Sequence, residues 1–291
     1  MAPHPASQFS VLSRFTGASF AMSSMFSAQL GTVLAVPLMV VHDPLGIFAL
    51  FFGFTALTSL VLFRPKLRGL SLRHWYSAGA LGLAMAVMLL CYAEAVTRIP
   101  VGPTVTIDFL GPLGVAALSL TGWPRVVLPA LAACGVVAMS LSPHGLVLAP
   151  VGVLYALGAA AGWACYIVLM RHVGALFSAQ EGLCLSVLMA AIFALLVAFS
   201  LEPMRPLWPH IPTIFGLSLL IPFALELAAL RKMEMGIFSI LTSLEPAIGS
   251  LLGFICLNQM LSLQQLGGIF TVILASACAV LMAPKAACTP L

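Results

Sequence analysis

The sequence predicts an all-α integral membrane protein of ten transmembrane helices, built as two inverted five-helix repeats with both termini in the cytoplasm. Three observations carry this expectation. The first is composition: 62% of the 291 residues are apolar and 7% are charged, against about 25% charged in a soluble domain. Twelve Lys and Arg with eight Asp and Glu cannot keep the exterior of a 30.5 kDa chain wet. The second is run length: the apolar segments extend over about 18–25 residues, the length a bilayer core requires. The third is a one-sided distribution of basic residues among the breaks. A soluble enzyme, a nucleic-acid binder and a disordered chain are excluded on these grounds. Unbroken apolar runs also favour helices over barrel strands, which alternate over about ten residues.

Taken in order, the ten segments fall at 15–36, 45–63, 75–97, 101–121, 125–141, 150–170, 181–201, 208–229, 235–257 and 262–283. His42-Asp43-Pro44 ends the first, and Arg64-Pro65-Lys66-Leu67-Arg68 ends the second. The third and fourth are separated only by Thr97-Arg98-Ile99-Pro100. Turn chemistry at Thr121-Gly122-Trp123-Pro124-Arg125 and Ser142-Pro143-His144-Gly145 bounds the short fifth segment. Glu202-Pro203-Met204-Arg205-Pro206 and Arg231-Lys232 bound the eighth. The N-terminal run lacks the pattern of a cleaved signal, since its early basic residue, Arg14, precedes a long apolar run followed by nine more. With loops this short, function is expected within or beside the bilayer.

Ten crossings place both termini on one side. On that side lie Arg14, Arg64, Lys66, Arg68, Arg73, Arg125, Arg171, Arg231, Lys232 and Lys285, leaving only Arg98 and Arg205 opposite. Basic residues concentrate in cytoplasmic loops, so the terminal side reads as cytoplasmic.

The halves, 15–141 and 150–283, share a weak internal repeat. Gly102 precedes Pro112 by ten residues in the fourth segment, as Gly236 precedes Pro246 in the ninth. A constant offset of 134 relates the two motifs, and the two segments cross in opposite directions. Inverted repeats of this kind are typical of secondary transporters, whose substrate path lies between the repeats. Each proline removes one backbone donor. The carbonyls of Asp108 and Thr242 are thereby freed, and such carbonyls are tolerated at membrane depth only against protein or a water-filled cavity. A packing kink is the alternative reading.

Intramembrane polar groups are the candidates for function. Asp108 lies roughly 10 Å inside its segment and Glu245 roughly 15 Å inside its own, from a rise of about 1.5 Å per residue. A charge at that depth costs about 3 kcal/mol on insertion scales, so such residues are functional candidates by default. Desolvation disfavours the charged form of a carboxyl. A buried acid can therefore exchange protons near neutral pH, or hold the ammonium of an amino-acid-like molecule. Glu226, near Arg231 and Lys232, reads equally as a path residue and as a locally paired one. Glu94 is spaced for an i,i+4 ion pair with Arg98. Trp163 and Tyr166 in the sixth segment, Tyr92 beside Glu94, and Gln29 complete the list of candidate path residues. Gly158 and Gly162, like Gly249 and Gly253, form small-xxx-small pairs that allow close helix approach. Ser19, Ser23, Ser27 and Gly31 form a small, polar stripe on the first segment. The seven cysteines show no CxxC, and the histidines flank the spans with no HExxH. No metal and no cofactor is expected. A Walker loop is missing too, which excludes ATP-driven transport by this chain alone. A lipid enzyme is disfavoured because its histidines would have to cluster at one interface.

These features lead to a family. Ile107-Asp108-Phe109-Leu110-Gly111-Pro112-Leu113, the run Gly158 to Tyr166 and the run Pro222 to Pro246 resemble the drug/metabolite transporter superfamily in its EamA branch. The likeness covers about residues 20 to 283. It implies a multi-pass exporter in a bacterial inner membrane, driven by the proton gradient. The implied cargo is amino acids of the threonine/homoserine kind or related small metabolites. A multidrug or nucleobase exporter of the same fold is the alternative. A small-molecule substrate and the lipid bilayer are the implied partners, no nucleic acid is, and a homodimer is left open. Two departures stand out. Amino-acid-exporting members carry Glu where Asp108 stands, and many members carry Gly-Glu where this chain has Asn258-Gln259.

Overall fold

A computed structural model describes residues 11–41, 44–65, 69–118, 120–140, 148–177, 179–199, 221–230, 232, 238 and 241–282. Among these residues there are helices and connections and no strand. In chain order the helices are α1 (Val11–Val41), α2 (Pro44–Phe63), α3 (Leu72–Val96), α4 (Val101–Asp108), α5 (Leu110–Leu118), α6 (Pro124–Ser140), α7 (Pro150–Leu176), α8 (Ala179–Phe199), α9 (Ile221–Leu230), α10 (Glu245–Leu257) and α11 (Leu263–Met282). The first part of the eighth predicted segment lies outside the described residues. So do most of 231–240, including Gly236, and the turn at 142–145.

Among the described residues, three helices are long and apolar enough to cross a bilayer by themselves: Phe15–Val40, Leu72–Val96 and Pro150–Met170. Six more apolar helices of 10–17 residues accompany them. Large apolar side chains stand exposed along them, among them Val40, Leu57, Val61, Leu154, Leu196 and Phe270. A surface this apolar fits lipid and not water.

The fourth segment departs from expectation. The sequence predicts a kinked but continuous helix around Pro112, whereas the helix breaks at Phe109 and resumes as α5 with Pro112 in its first turn. The ninth segment behaves likewise: a turn at Ser243 and Leu244 precedes α10, whose second residue is Pro246. Proline is tolerated in a first helical turn, where its missing donor has no partner to lose. Starting a new helix is therefore the unstrained solution at both sites. The first segment also runs past its predicted end, since α1 carries Pro37 and continues to Val41.

Helix α3 packs on α7, α1 on α9 and α10, α2 on α8, α6 on α11, and α4 on α10. Two of these contacts require glycine. A Cβ on Gly162 would lie 2.8 Å from the Met88 Cα and backbone nitrogen, so α7 and α3 touch backbone to backbone. A Cβ on Gly102 would collide with Ser250, where α4 crosses α10. Gly158 lies on the same α7 face, against Cys91. The predicted serine stripe of α1 divides: Ser19 and Ser23 are exposed, Ser27 and Gly31 buried. Ser24 is the residue that bonds α9, donating to the Pro222 carbonyl at 3.0 Å. Helix rotation in the bundle, which i,i+4 spacing does not specify, decides which serine turns inward.

Candidate functional site

A cavity of about 250 Å³ opens between α1, α2, α3, α4, α7 and α8, with Glu245 of α10 also in its lining. Its walls are mainly apolar, including Phe51, Phe52, Met85, Met88 and Val187. The polar lining consists of Gln29, Thr32, Thr55, Tyr92, Asp108 and Glu245.

The two helix breaks position the carboxyls. Asp108 is the last residue of α4, every residue of which is buried. Thr104 and Thr106 turn their hydroxyls back onto the Pro100 and Gly102 carbonyls, at 2.9 and 2.7 Å. Both spend their polarity on their own helix and leave Asp108 as its one ionisable contribution. Phe109, at the break, meets Trp163 edge-on with ring centroids 5.2 Å apart. That contact fixes the indole as a cavity wall.

Glu245 opens α10 and accepts a 2.9 Å hydrogen bond from Gln29 Nε2 of α1. A hydrogen bond to a charged group contributes about 1.5–3 kcal/mol, and this one ties residues 216 positions apart. Three buried oxygens have no hydrogen-bond partner among the described residues: Ser276 Oγ and two on cavity-lining residues, Asp108 Oδ1 and Gln29 Oε1. The two carboxyls are near enough for their charges to interact.

Five sequence candidates, Gln29, Tyr92, Asp108, Trp163 and Glu245, thus line one cavity. Tyr166 is half-buried on α7 and is not among the lining residues. Glu226 falls on α9, and its side chain lies outside the described residues. Gly158, Gly162, Gly249 and Gly253 lie at helix contacts, with Gly249 beside Gln29 and Val105. Glu94 is paired with Arg98, whose guanidinium also bonds the Glu94 carbonyl and covers the Tyr155 ring at 4.9 Å. The sequence candidates come from the first, third, fourth, sixth, eighth and ninth segments. They miss the walls from α1 beyond Gln29, from α2 and from α8. No local signal marks Phe51, Thr55 or Val187 within runs that are apolar on every side.

The Asn258-Gln259 departure has a geometric account. Asn258 ends α10 in the left-handed region at φ 51°, a position that favours Gly and next Asn. The Gln259 side-chain oxygen accepts the Val101 N–H at 3.0 Å, capping α4 from the other half of the chain. Capping needs an acceptor and no charge.

No cluster of His, Cys, Asp and Glu that could hold a metal occurs among the described residues.

Comparison with known proteins adds the following. Residues 150–281 match the EamA-like transporter family. The chain is 28% identical over 259 residues to the threonine/homoserine exporter RhtA of Salmonella typhimurium (strain LT2), covering 87% of each chain. It is 29% identical, at the same coverage, to RhtA of Escherichia coli (strain K12). A solved structure described only as a crystal structure of a protein aligns at a TM-score of 0.56 and 18% identity. That alignment covers 91% of this chain and 97% of the other, a likeness of fold alone.

Proposed function

Starting from a chain whose second half matches the EamA-like transporter family, we propose a secondary exporter of threonine- or homoserine-like amino acids, working by alternating access and driven by protons. EamA-type proteins are transporters and not enzymes, and the relatives named above are amino-acid exporters. The observation that carries the reading is the single cavity into which the two interrupted helices deliver Asp108 and Glu245.

Its size favours a small cargo. About 250 Å³ lies below the range of about 300–1,000 Å³ usual for drug-sized ligands. That speaks for a metabolite over a multidrug substrate. The cavity is lined by the parts of α1, α2 and α3 that approach the connections at 42–43 and 97–100. Charge asymmetry puts those connections outside the cytoplasm, so the state described faces outward from a bacterial inner membrane.

The packing supports an inverted repeat of ten crossings. Exchanging the two halves maps the α3–α7 pair onto α9–α1. It returns α2–α8, α6–α11 and α4–α10 to themselves, as a pseudo-two-fold axis in the membrane plane requires. The two halves would rock about the α4–α10 crossing. A proton taken up by the Asp108–Glu245 pair on this side, and released on the other, would exchange for cargo.

The test is transport by protein in proteoliposomes, following labelled threonine and homoserine against an imposed pH gradient. Gradient-dependent, uncoupler-sensitive flux is expected. Asp108→Asn and Glu245→Gln proteins, shown to be correctly inserted, should each lose it; parental rates in both would overturn the mechanism.

A further inference from the structure

Resting on that reading of the cavity, we propose that it recognises its cargo by the ammonium end alone, so that primary amines with a blocked carboxyl are cargo as well. The argument begins with unmet acceptors. Asp108 and Gln29 line the cavity, are 8% and 4% exposed, and keep Oδ1 and Oε1 respectively without a donor among the described residues. Leaving a buried acceptor unmet costs about 1–3 kcal/mol; both oxygens are covered in this state, so a ligand donor recovers that cost once the Asp108 carboxyl or the Gln29 amide turns toward the cavity. A primary ammonium brings three N–H donors and no acceptor. It therefore matches a wall of acceptors better than an amide or a hydroxyl does.

The opposite end of the cargo finds nothing of the kind. None of the residues described as lining the cavity is Lys, Arg or His. Arg98, which follows Tyr92 just past the end of α3, is held by Glu94 and Tyr155. The donors there are neutral, the Thr32 and Tyr92 hydroxyls and the Trp163 indole N–H, which serve an amide or an alcohol as well as a carboxylate; Thr55 already donates to the Phe51 carbonyl at 2.6 Å. One N–H of the Gln29 amide is committed to Glu245. A cargo carboxylate would share this space with two protein carboxyls and no cation among the described lining residues to offset them, a like-charge arrangement that costs affinity. The rest of the lining, Met85, Met88, Phe51, Phe52 and Trp163, suits an apolar side chain. Amidation or reduction of the cargo's carboxyl therefore removes a liability, while acylation of its nitrogen removes the recognised group.

Competition against labelled threonine transport in proteoliposomes tests this, with threoninamide, threoninol and N-acetylthreonine as probes. The expected result is that threoninamide and threoninol compete at least as well as unlabelled threonine. N-acetylthreonine should be about a hundredfold weaker, the order of discrimination set by losing a required hydrogen-bonding group. A Gln29→Leu protein should narrow the threonine to N-acetylthreonine ratio at least tenfold while leaving the apolar walls intact. Equal competition by N-acetylthreonine, or threoninamide tenfold weaker than threonine, overturns the proposal and leaves the exporter standing. Threonine flux no greater than in protein-free vesicles overturns the exporter reading and this one with it.

Discussion

Replacing Gly162 with Ala tests the seam on which the cavity is built. The added methyl would sit 2.8 Å from the Met88 Cα and backbone nitrogen and 2.9 Å from its Cβ. Ordinary contact begins at 3.4 Å, so α7 and α3 must part by about 0.6 Å along their longest shared face. Two of the three crowded atoms belong to backbone, and no rotamer change relieves them. Overpacking of this kind costs about 1–3 kcal/mol. Gly79, on the same α3, supplies the control, because a methyl there meets nothing within 4 Å. Gly79→Ala should stabilise by about 0.5–1 kcal/mol through helix propensity alone. The propensity gain applies at both sites, so the two variants are expected to differ by the overpacking cost alone, about 1–3 kcal/mol. Reversible unfolding of detergent-solubilised protein in a denaturant titration measures both. If Gly162→Ala proves as stable as Gly79→Ala, the backbone contact between α3 and α7 is wrong. The placement of Met88 and Trp163 around the cavity falls with it.

Three further outcomes follow from the same geometry. Gln259→Leu removes the acceptor that caps α4 at Val101 and should lower stability by about 1 kcal/mol; Gln259→Glu keeps an acceptor and should restore most of it in the same titration. Thr32→Cys and Thr55→Cys, made in a background with the native cysteines replaced, should react with a membrane-impermeant maleimide added from the periplasmic side. Equal labelling from the cytoplasmic side alone would reverse the proposed orientation. Arg98→Met leaves the nearly buried Glu94 without its ion-pair partner. It should destabilise more than the double change Arg98→Met with Glu94→Gln, by about 1 kcal/mol or more in a double-mutant comparison.

Much of the architecture is legible in the sequence because its signals are local. Run length and breaker residues delimit the helices, since a bilayer core accepts only long apolar helical stretches and the breakers act within one turn. The Glu94–Arg98 pair is readable for the same reason, as i and i+4 meet on any helix. Pro112 and Pro246 point to the right places and the wrong geometry. Proline fixes which donor is missing, but whether the helix bends or restarts depends on what receives the freed carbonyls.

Depth in the membrane singles out Asp108, Glu245 and Gln29 from the order of residues alone, because burying a polar group has a cost that an apolar run makes visible. Their convergence cannot be read in the same way. Gln29 and Glu245 are separated by 216 positions, and only the crossing of α1 with α10 brings them together. Likewise α2 and α8 are apolar on every side, so periodicity gives no rotation, and packing alone turns Phe51, Thr55 and Val187 into the cavity. The same packing places Trp163 on the lining and leaves Tyr166 off it. The sequence by itself determined which segments are apolar enough to suit a membrane and which polar groups go with them, through transfer energies that each residue carries locally. Which faces meet, and therefore what the cavity can bind, was decided only by tertiary structure, because in lipid one apolar face differs from another by shape and not by solvation.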